Sequence, residues 1–360
     1  MAILAEYREF IMISTTDFSK RIVGYRLTDC IVRNKETIFF IASEDCTQWT
    51  DWEEDGGYPE ESALYKRVIS LQMSRGQPQK WGNATLHGYS RLTAGISQVP
   101  KEQLIVGSLT GQIYIAGSGD IGAEDEIESY LRGTLDSFST IEGKLYIAGS
   151  GRTVGIRKGK NLWQWISQDL PYDEKEDVFT AGFASLDGFS QSDIYAAGGK
   201  GDVWHFNGKQ WRHIDFPSNL RIETICCGGD GRVYISGCEG HTFVGRGDTW
   251  KKVKTEDPIS LSFKDMAWYE DRVWCSNDYG VWWIVDDQLV KATIPAFAQI
   301  SAGHLSARDG VLLLAGFYGS AFLEKGQWHQ IFSYNEMVDR CKAEGLYDGV
   351  LQARWHEFKD

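Results

Sequence analysis

Short runs of alternating apolar and polar residues, each closed by glycine or a polar turn, recur along most of this chain. DIYAAGGKGDVWHFNGKQWRHI (193–214) returns as RVYISGCEGHTFVGRGDTWKKV (232–253), RVWCSNDYGVWWIVDDQLVKAT (272–293) and VLLLAGFYGSAFLEKGQWHQI (311–331). Earlier copies are KLYIAGSGRTVGIRKGKNLWQWI (144–166) and QLIVGSLTGQIYIAGSG (103–119). Aligned, Ile105, Tyr146, Tyr195, Tyr234, Trp274 and Leu313 share one slot, at spacings of 41, 49, 39, 40 and 39 residues. An alternation of period two predicts strands. Each unit yields two strands around a Gly-centred turn, then one around Trp163, Trp211, Trp250 or Trp328. A further strand leads in: RLTAGIS, FSTIEG, FTAGFASL, RIETICCG, LSFKDMAW or QISAGHLS.

Four short strands in about forty residues make one propeller blade. A degenerate first copy reads IVGYRLTDCIV, TIFFIAS, LYKRVISL and QKWGNATL, with Trp81 in the Trp slot. The expectation is an all-β chain: a seven-bladed β-propeller of four-stranded antiparallel blades over 1–334, with a short C-terminal tail. The blades fall at about 20–88, 89–133, 134–171, 177–217, 220–256, 259–295 and 298–333. The tail, 335–360, is partly helical, with a helix from Glu336 that stops at Gly345. Ile3–Ile13 is a candidate to cover the outer edge of the last blade, and which terminus closes the ring is open. Thr93-Ala94-Gly95, Thr180-Ala181-Gly182 and Ser301-Ala302-Gly303 are read as matching small positions of innermost strands, where they let strands crowd the axis.

This frame resembles the broad WD40-like (YVTN-type) superfamily of bacterial β-propellers. It lacks the GH…WD signature of true WD40 repeats and the kelch frame, and GRGDTW (245–250) lacks the Ser-x-Asp start of an Asp-box. The resemblance covers nearly the whole chain and implies architecture alone, because a fold does not fix a function.

Composition then narrows the functions. The chain has 360 residues, 42% of them apolar, which supports a packed core and excludes global disorder. Its net charge of −13 opposes sequence-independent nucleic-acid binding and favours a basic partner. No apolar run is long enough to span a membrane, and the start does not read as a signal peptide. Seven cysteines without a C-x-x-C pair suit reduced thiols in a cytoplasmic protein rather than a disulfide or zinc framework. Cys226, Cys227 and Cys238 are read as small apolar fillers.

One stretch breaks the repeat. The second-strand slot lies 15–17 residues before the fourth-strand slot in five units, but Phe39 lies 42 before Trp81, so about 26 residues are inserted. Their bulk is CTQWTDWEEDGGYPEES (46–62), with six carboxylates, three large aromatics and no Lys or Arg. In a meander, the turn between strands two and three shares a face with the connection to the next blade; we call this the connection face. The acidic connection QDLPYDEKEDV (168–178) belongs there too, as do Asp202, Glu239, Asp278 and Glu256-Asp257. DIGAEDEIE (120–128) is read as an acidic insertion on the opposite face.

Aromatics and carboxylates on one face suit an interface, with rings as anchors and charges as steering groups. The anchors are Trp49, Trp52, Tyr58 and Tyr172; the charge partners are Asp51, Glu53, Glu54, Asp55, Asp173, Glu174, Glu176 and Asp177. The bland alternative is that the acids keep a Trp-rich chain soluble while the rings pack onto their own blade. For catalysis the candidates are Asp29, Glu223, Asp265 and His304, on or beside innermost strands, where carboxylates at the channel could bind a cation or serve acid–base chemistry. No phosphate loop, EF-hand, nucleophile elbow or metal-binding histidine pair is present, so no cofactor or metal is expected. The expectation is therefore a non-catalytic propeller whose acidic face captures and blocks a basic protein, in the manner of a bacterial toxin-neutralising immunity protein. The alternatives are a lyase- or hydrolase-like enzyme with its site at the channel, and a scaffold for several proteins.

Overall fold

A computed structural model of the chain describes residues 12–46, 59–76, 80–175, 180–256 and 258–347. It is a seven-bladed β-propeller in which every blade is built from four consecutive antiparallel strands. The innermost strands are Tyr25–Asn34, Leu92–Ser97, Leu135–Ile141, Ser185–Ser190, Ile222–Cys227, Asp265–Tyr269 and His304–Arg308. In blade 6 a short segment, Lys254–Thr255, adds a fifth strand parallel to the outermost one. No helix among the described residues is long and apolar enough to cross a membrane.

Burial along each strand follows its place in the blade. Second strands are pressed between neighbouring blades on both faces, so Val311–Gly316 and Gln103–Ser108 are buried at every position. This is why those runs are almost wholly apolar. Outermost strands touch protein on one face only, and Leu162–Trp165 alternates exposed and half-buried. The apolar side chains gather into seven clusters, one at each junction between consecutive blades. The Trp slot serves these junctions: Trp211 stacks on Phe183 of the segment entering its own blade, and Trp328 meets Trp274 of blade 6 edge-on.

Blade 2 has Ile121, and blade 6 Leu289, where the other five blades carry Trp, and DIGAEDEIE is not an insertion. Asp120–Ala123 forms the blade's fourth strand. Glu124 then turns inward and receives a fully buried bidentate pair from Arg157 of blade 3, at 2.7 and 2.8 Å.

Ring closure uses segments near both ends of the chain, and among the described residues the first and last blades exchange no strand. Met12 bridges the outermost strands: its N–H donates to Ile331 O of blade 7 at 2.9 Å, and its carbonyl accepts Trp81 Nε1 of blade 1 at 3.2 Å. A helix at Thr15–Arg21, capped by Ser14, then packs against the C-terminal helix Tyr334–Ala343, which gives way at Gly345. Phe18, wholly buried, meets Phe332 and Tyr334 edge-on at 5.6 Å each. Nearer the axis, Val32 N–H donates to Ser306 Oγ of blade 7 at 3.1 Å.

Because this seam has no covalent continuity, Phe18 is expected to matter as much as a core residue. Phe18→Ala should lower the unfolding free energy by about 3–5 kcal/mol in chemical denaturation. A loss below about 1 kcal/mol would show that the helix pair does not hold the ring.

Candidate protein-binding face and central channel

The turns between second and third strands meet the segments entering the next blade: Ser150 bridges Gly182, and Lys200 bridges Arg221. These turns and connections thus form one face, the connection face. The crossing is close. Gly182 has φ +119°, and a Cβ there would lie 2.8 Å from Gly151 N and 2.9 Å from Ser150 Cα. This corrects the reading of the small triplets. Thr93-Ala94-Gly95 lies within an innermost strand, but 180–182 and 301–303 precede theirs and serve the crossing, not the axis.

Of the expected contacts, Trp49, Asp51, Trp52, Glu53, Glu54, Asp55, Tyr58, Glu176 and Asp177 lie outside the described residues, as does Asp257. Tyr172, Asp173 and Glu174 are described and exposed. Two arginines of blade 3 pin this connection. Arg132 donates to Leu170 O at 3.2 Å and lies 5.2 Å from the Tyr172 ring; Arg152 donates to Pro171 O at 2.9 Å. Tyr172 is therefore held outward by its neighbours rather than packed away, and Asp173 closes a turn by accepting Lys175 N–H at 2.9 Å.

Other acids assigned to this face divide. Asp202 is buried and committed: it accepts Arg152 Nε, Gly182 N–H and Trp204 Nε1 at 2.8–2.9 Å, so it offers nothing to a partner. Asp278 pairs with Lys264 at 2.6 Å. Glu239 and Glu256 are exposed. The sequence reading missed three aromatics on this face, Tyr279, Phe317 and Tyr318, all exposed. Their signal was available: they fill second-to-third-strand turns where sister blades carry Ser150-Gly151 and Gly199-Lys200.

The seven innermost strands enclose a channel of about 800 Å³. Asp29, Glu223, Asp265 and His304 all line it. Their main engagements run between blades. Asp29 accepts Cys30 N–H at 2.7 Å and Ala94 N–H of blade 2 at 3.1 Å. Asp265 accepts Leu305 N–H of blade 7 at 3.2 Å and contacts His304 Nδ1 at 2.9 Å. Asp187, which sequence reasoning did not single out, does the same for Cys227 N–H of blade 5 at 2.7 Å. Glu223 pairs with Arg221 at 3.3 Å.

These groups are partly wetted but walled in by protein. Burial pushes the Asp29 carboxyl up to about 7, against the lowering field of His304, and pushes Asp187 up to about 6. For His304, burial opposes the charged ring, yet Asp265 and then Asp29 outweigh it, and the pKa is raised. Among the described residues, no group of three His, Cys, Asp or Glu side chains is placed to hold a metal ion. All seven cysteines are free, and burial pushes the Cys226 and Cys227 thiols up, as apolar fillers require.

No known family model matches the chain. It is 31% identical, over 247 residues, to a Pseudomonas aeruginosa protein named immune protein Tsi7; the match covers 67% of this chain and 79% of that one. Among solved structures, the WD40 β-propeller domain of Doa1 superposes with a TM-score of 0.55 at 13% identity, covering 82% of this chain and 95% of that domain. At that identity the likeness concerns the fold alone.

The channel carries a pH signature. The folded chain holds protons on Asp29, Asp187 and His304 more tightly than the unfolded chain does. Each therefore contributes stability at low pH that is lost as pH rises, through about 6 for Asp187 and about 7 for Asp29. Asp29→Asn should flatten this dependence: between pH 4 and 8 the variant should gain about 1–2 kcal/mol relative to the parent, once screening by channel water is allowed for. Denaturant midpoints measured across that range test it, and parallel curves would contradict it.

Proposed function

The chain belongs to the family of the Pseudomonas aeruginosa immune protein Tsi7, and on that premise we propose that it is an immunity protein. In this reading it is a non-catalytic propeller that captures a toxin domain on its connection face and covers the surface by which that toxin acts. The observation that carries the reading is the 31% identity over two thirds of the chain to a protein named for immunity. Physical support comes from the face itself: an outward-held Tyr172 beside exposed acids, on a chain of net charge −13. Such a surface favours a basic partner by steering it and raising its association rate.

Trp49, Trp52, Tyr58 and Tyr172 are the proposed anchors; the carboxylates of 51–55 and 173–177 are the proposed steering groups. We place the protein in the cytoplasm, where its seven free thiols would stay reduced. Three channel carboxylates, Asp29, Asp187 and Asp265, are engaged by backbone amides of adjoining blades, which favours a structural duty over acid–base chemistry.

The test uses the protein encoded beside this chain's gene. Cells in which that neighbour arrests growth should resume growth when the chain is co-expressed, and the two purified proteins should form a one-to-one complex weakened by salt. Reversing Asp51, Glu53, Glu54 and Asp55 should slow association about tenfold or more. Continued arrest with no complex would contradict the proposal.

A further inference from the structure

The connection face of blades 6 and 7 carries an apolar patch that is left exposed among the described residues. Leu261, Tyr279, Ile300, Phe317 and Tyr318 are all exposed there, Tyr279 at 73% and Tyr318 at 57%. Single exposed apolar residues are ordinary; a set tied into one surface is not. Asn277, buried, staples the first two: its Nδ2 donates to Leu261 O at 3.1 Å, and its Oδ1 accepts Tyr279 N–H at 2.9 Å. Phe317 sits between Lys264 at 5.0 Å and Arg26 of blade 1 at 5.3 Å. Tyr318 O accepts Tyr334 N–H at 2.8 Å, which anchors its turn to the C-terminal helix. Ile300 flanks Ser301, whose Oγ lies 3.3 Å from where a Cβ on Gly319 would stand.

The patch is thus preorganised, and its cations are already neutralised. Lys264 pairs with Asp278 at 2.6 Å, and Arg26 pairs with Asp45 at 3.0 Å. A partner covering these rings would strand no lone charge, as the dry centre of an interface requires. Exposed carboxylates stand at the rim. Glu239, its side chain 72% exposed, stands where Gly240 backs onto Ile259, next to Leu261. Exposed Glu256 lies in the same connection.

We propose that this patch is the docking centre for a folded protein whose contact surface has an apolar middle and a Lys/Arg rim. It rests on the immunity reading, so the occupant is the toxin domain of that reading. Aromatic anchors in a preorganised centre supply most of the binding energy, and Glu239 and Glu256 match the partner's basic rim.

The test measures affinity between the purified chain and the toxin it neutralises in cells. Tyr279→Ala with Tyr318→Ala should weaken binding about 30-fold or more, as the loss of hot-spot side chains does. Leu162→Ala, an exposed apolar residue on the opposite face, should leave affinity unchanged. Thermal melting checks that both variants remain folded, and Leu261→Asp, which adds a charge at the same surface, should reproduce the loss. If the parent and every variant bind alike, the docking centre lies elsewhere and the immunity reading stands. If the parent itself neither binds nor neutralises the toxin, the immunity reading fails and this proposal falls with it.

Discussion

Everything in this molecule depends on one packing constraint: each blade is a small twisted sheet with two apolar faces, and neither face can be left in water. A single blade cannot satisfy it. Seven arranged around an axis can, and the result is seven junction cores with no central one. The cost of that solution falls on the innermost strands, whose free backbone edges face a wet channel. Side chains take up part of it. Asp29, Asp187 and Asp265 accept amides from the next blade, Ser306 Oγ accepts Val32 N–H, and Thr140 Oγ1 donates to Ile96 O at 2.6 Å. The same inward stitching raises the carboxyl pKa values, because groups held between strands cannot be fully hydrated.

A ring closed this way leaves its turns free of structural duty beyond tying neighbours together. The connection face gains most, since its second-to-third-strand turns and blade connections lie side by side. Rings placed there stay ordered without being buried. Arg132 and Arg152 hold the Tyr172 connection, and Asn277 holds Tyr279, through hydrogen bonds to backbone rather than by covering the ring. That is how a rigid scaffold presents adhesive side chains at small entropic cost on binding.

Much of the fold was legible in the chain because propeller periodicity repeats the same physical demand seven times. Tyr146, Tyr195, Tyr234, Trp274 and Leu313 all fall on second strands, and Trp81 takes the Trp slot of a first blade that barely resembles the others. Local features were harder. The triplets at 180–182 and 301–303 look like Thr93-Ala94-Gly95, but the same small residues suit a strand and a tight crossing equally, so composition could not separate them. Asp202 looked like a surface acid because it is a charged residue opening a strand beside a turn; the Arg152 partner that buries it comes from another blade. Closure through Met12 was legible only in part: the outer edge of the last blade was an expected place for the segment that holds Met12, but the bond to Trp81 of blade 1 leaves no local pattern. For the site, the acidic bias was visible and pointed to one face. The aromatics of blades 6 and 7 were passed over because a repeat reading treats turn residues as interchangeable.

The central claim is that the connection face is the working surface. Amide hydrogen exchange of the full chain, alone and with the toxin domain proposed as its partner, addresses it most directly. The account predicts slowed exchange in the turns at 277–280 and 316–319 and in the connection at 168–175, with no change in the opposite turns at 159–162 and 207–210. Protection confined to those opposite turns would contradict it.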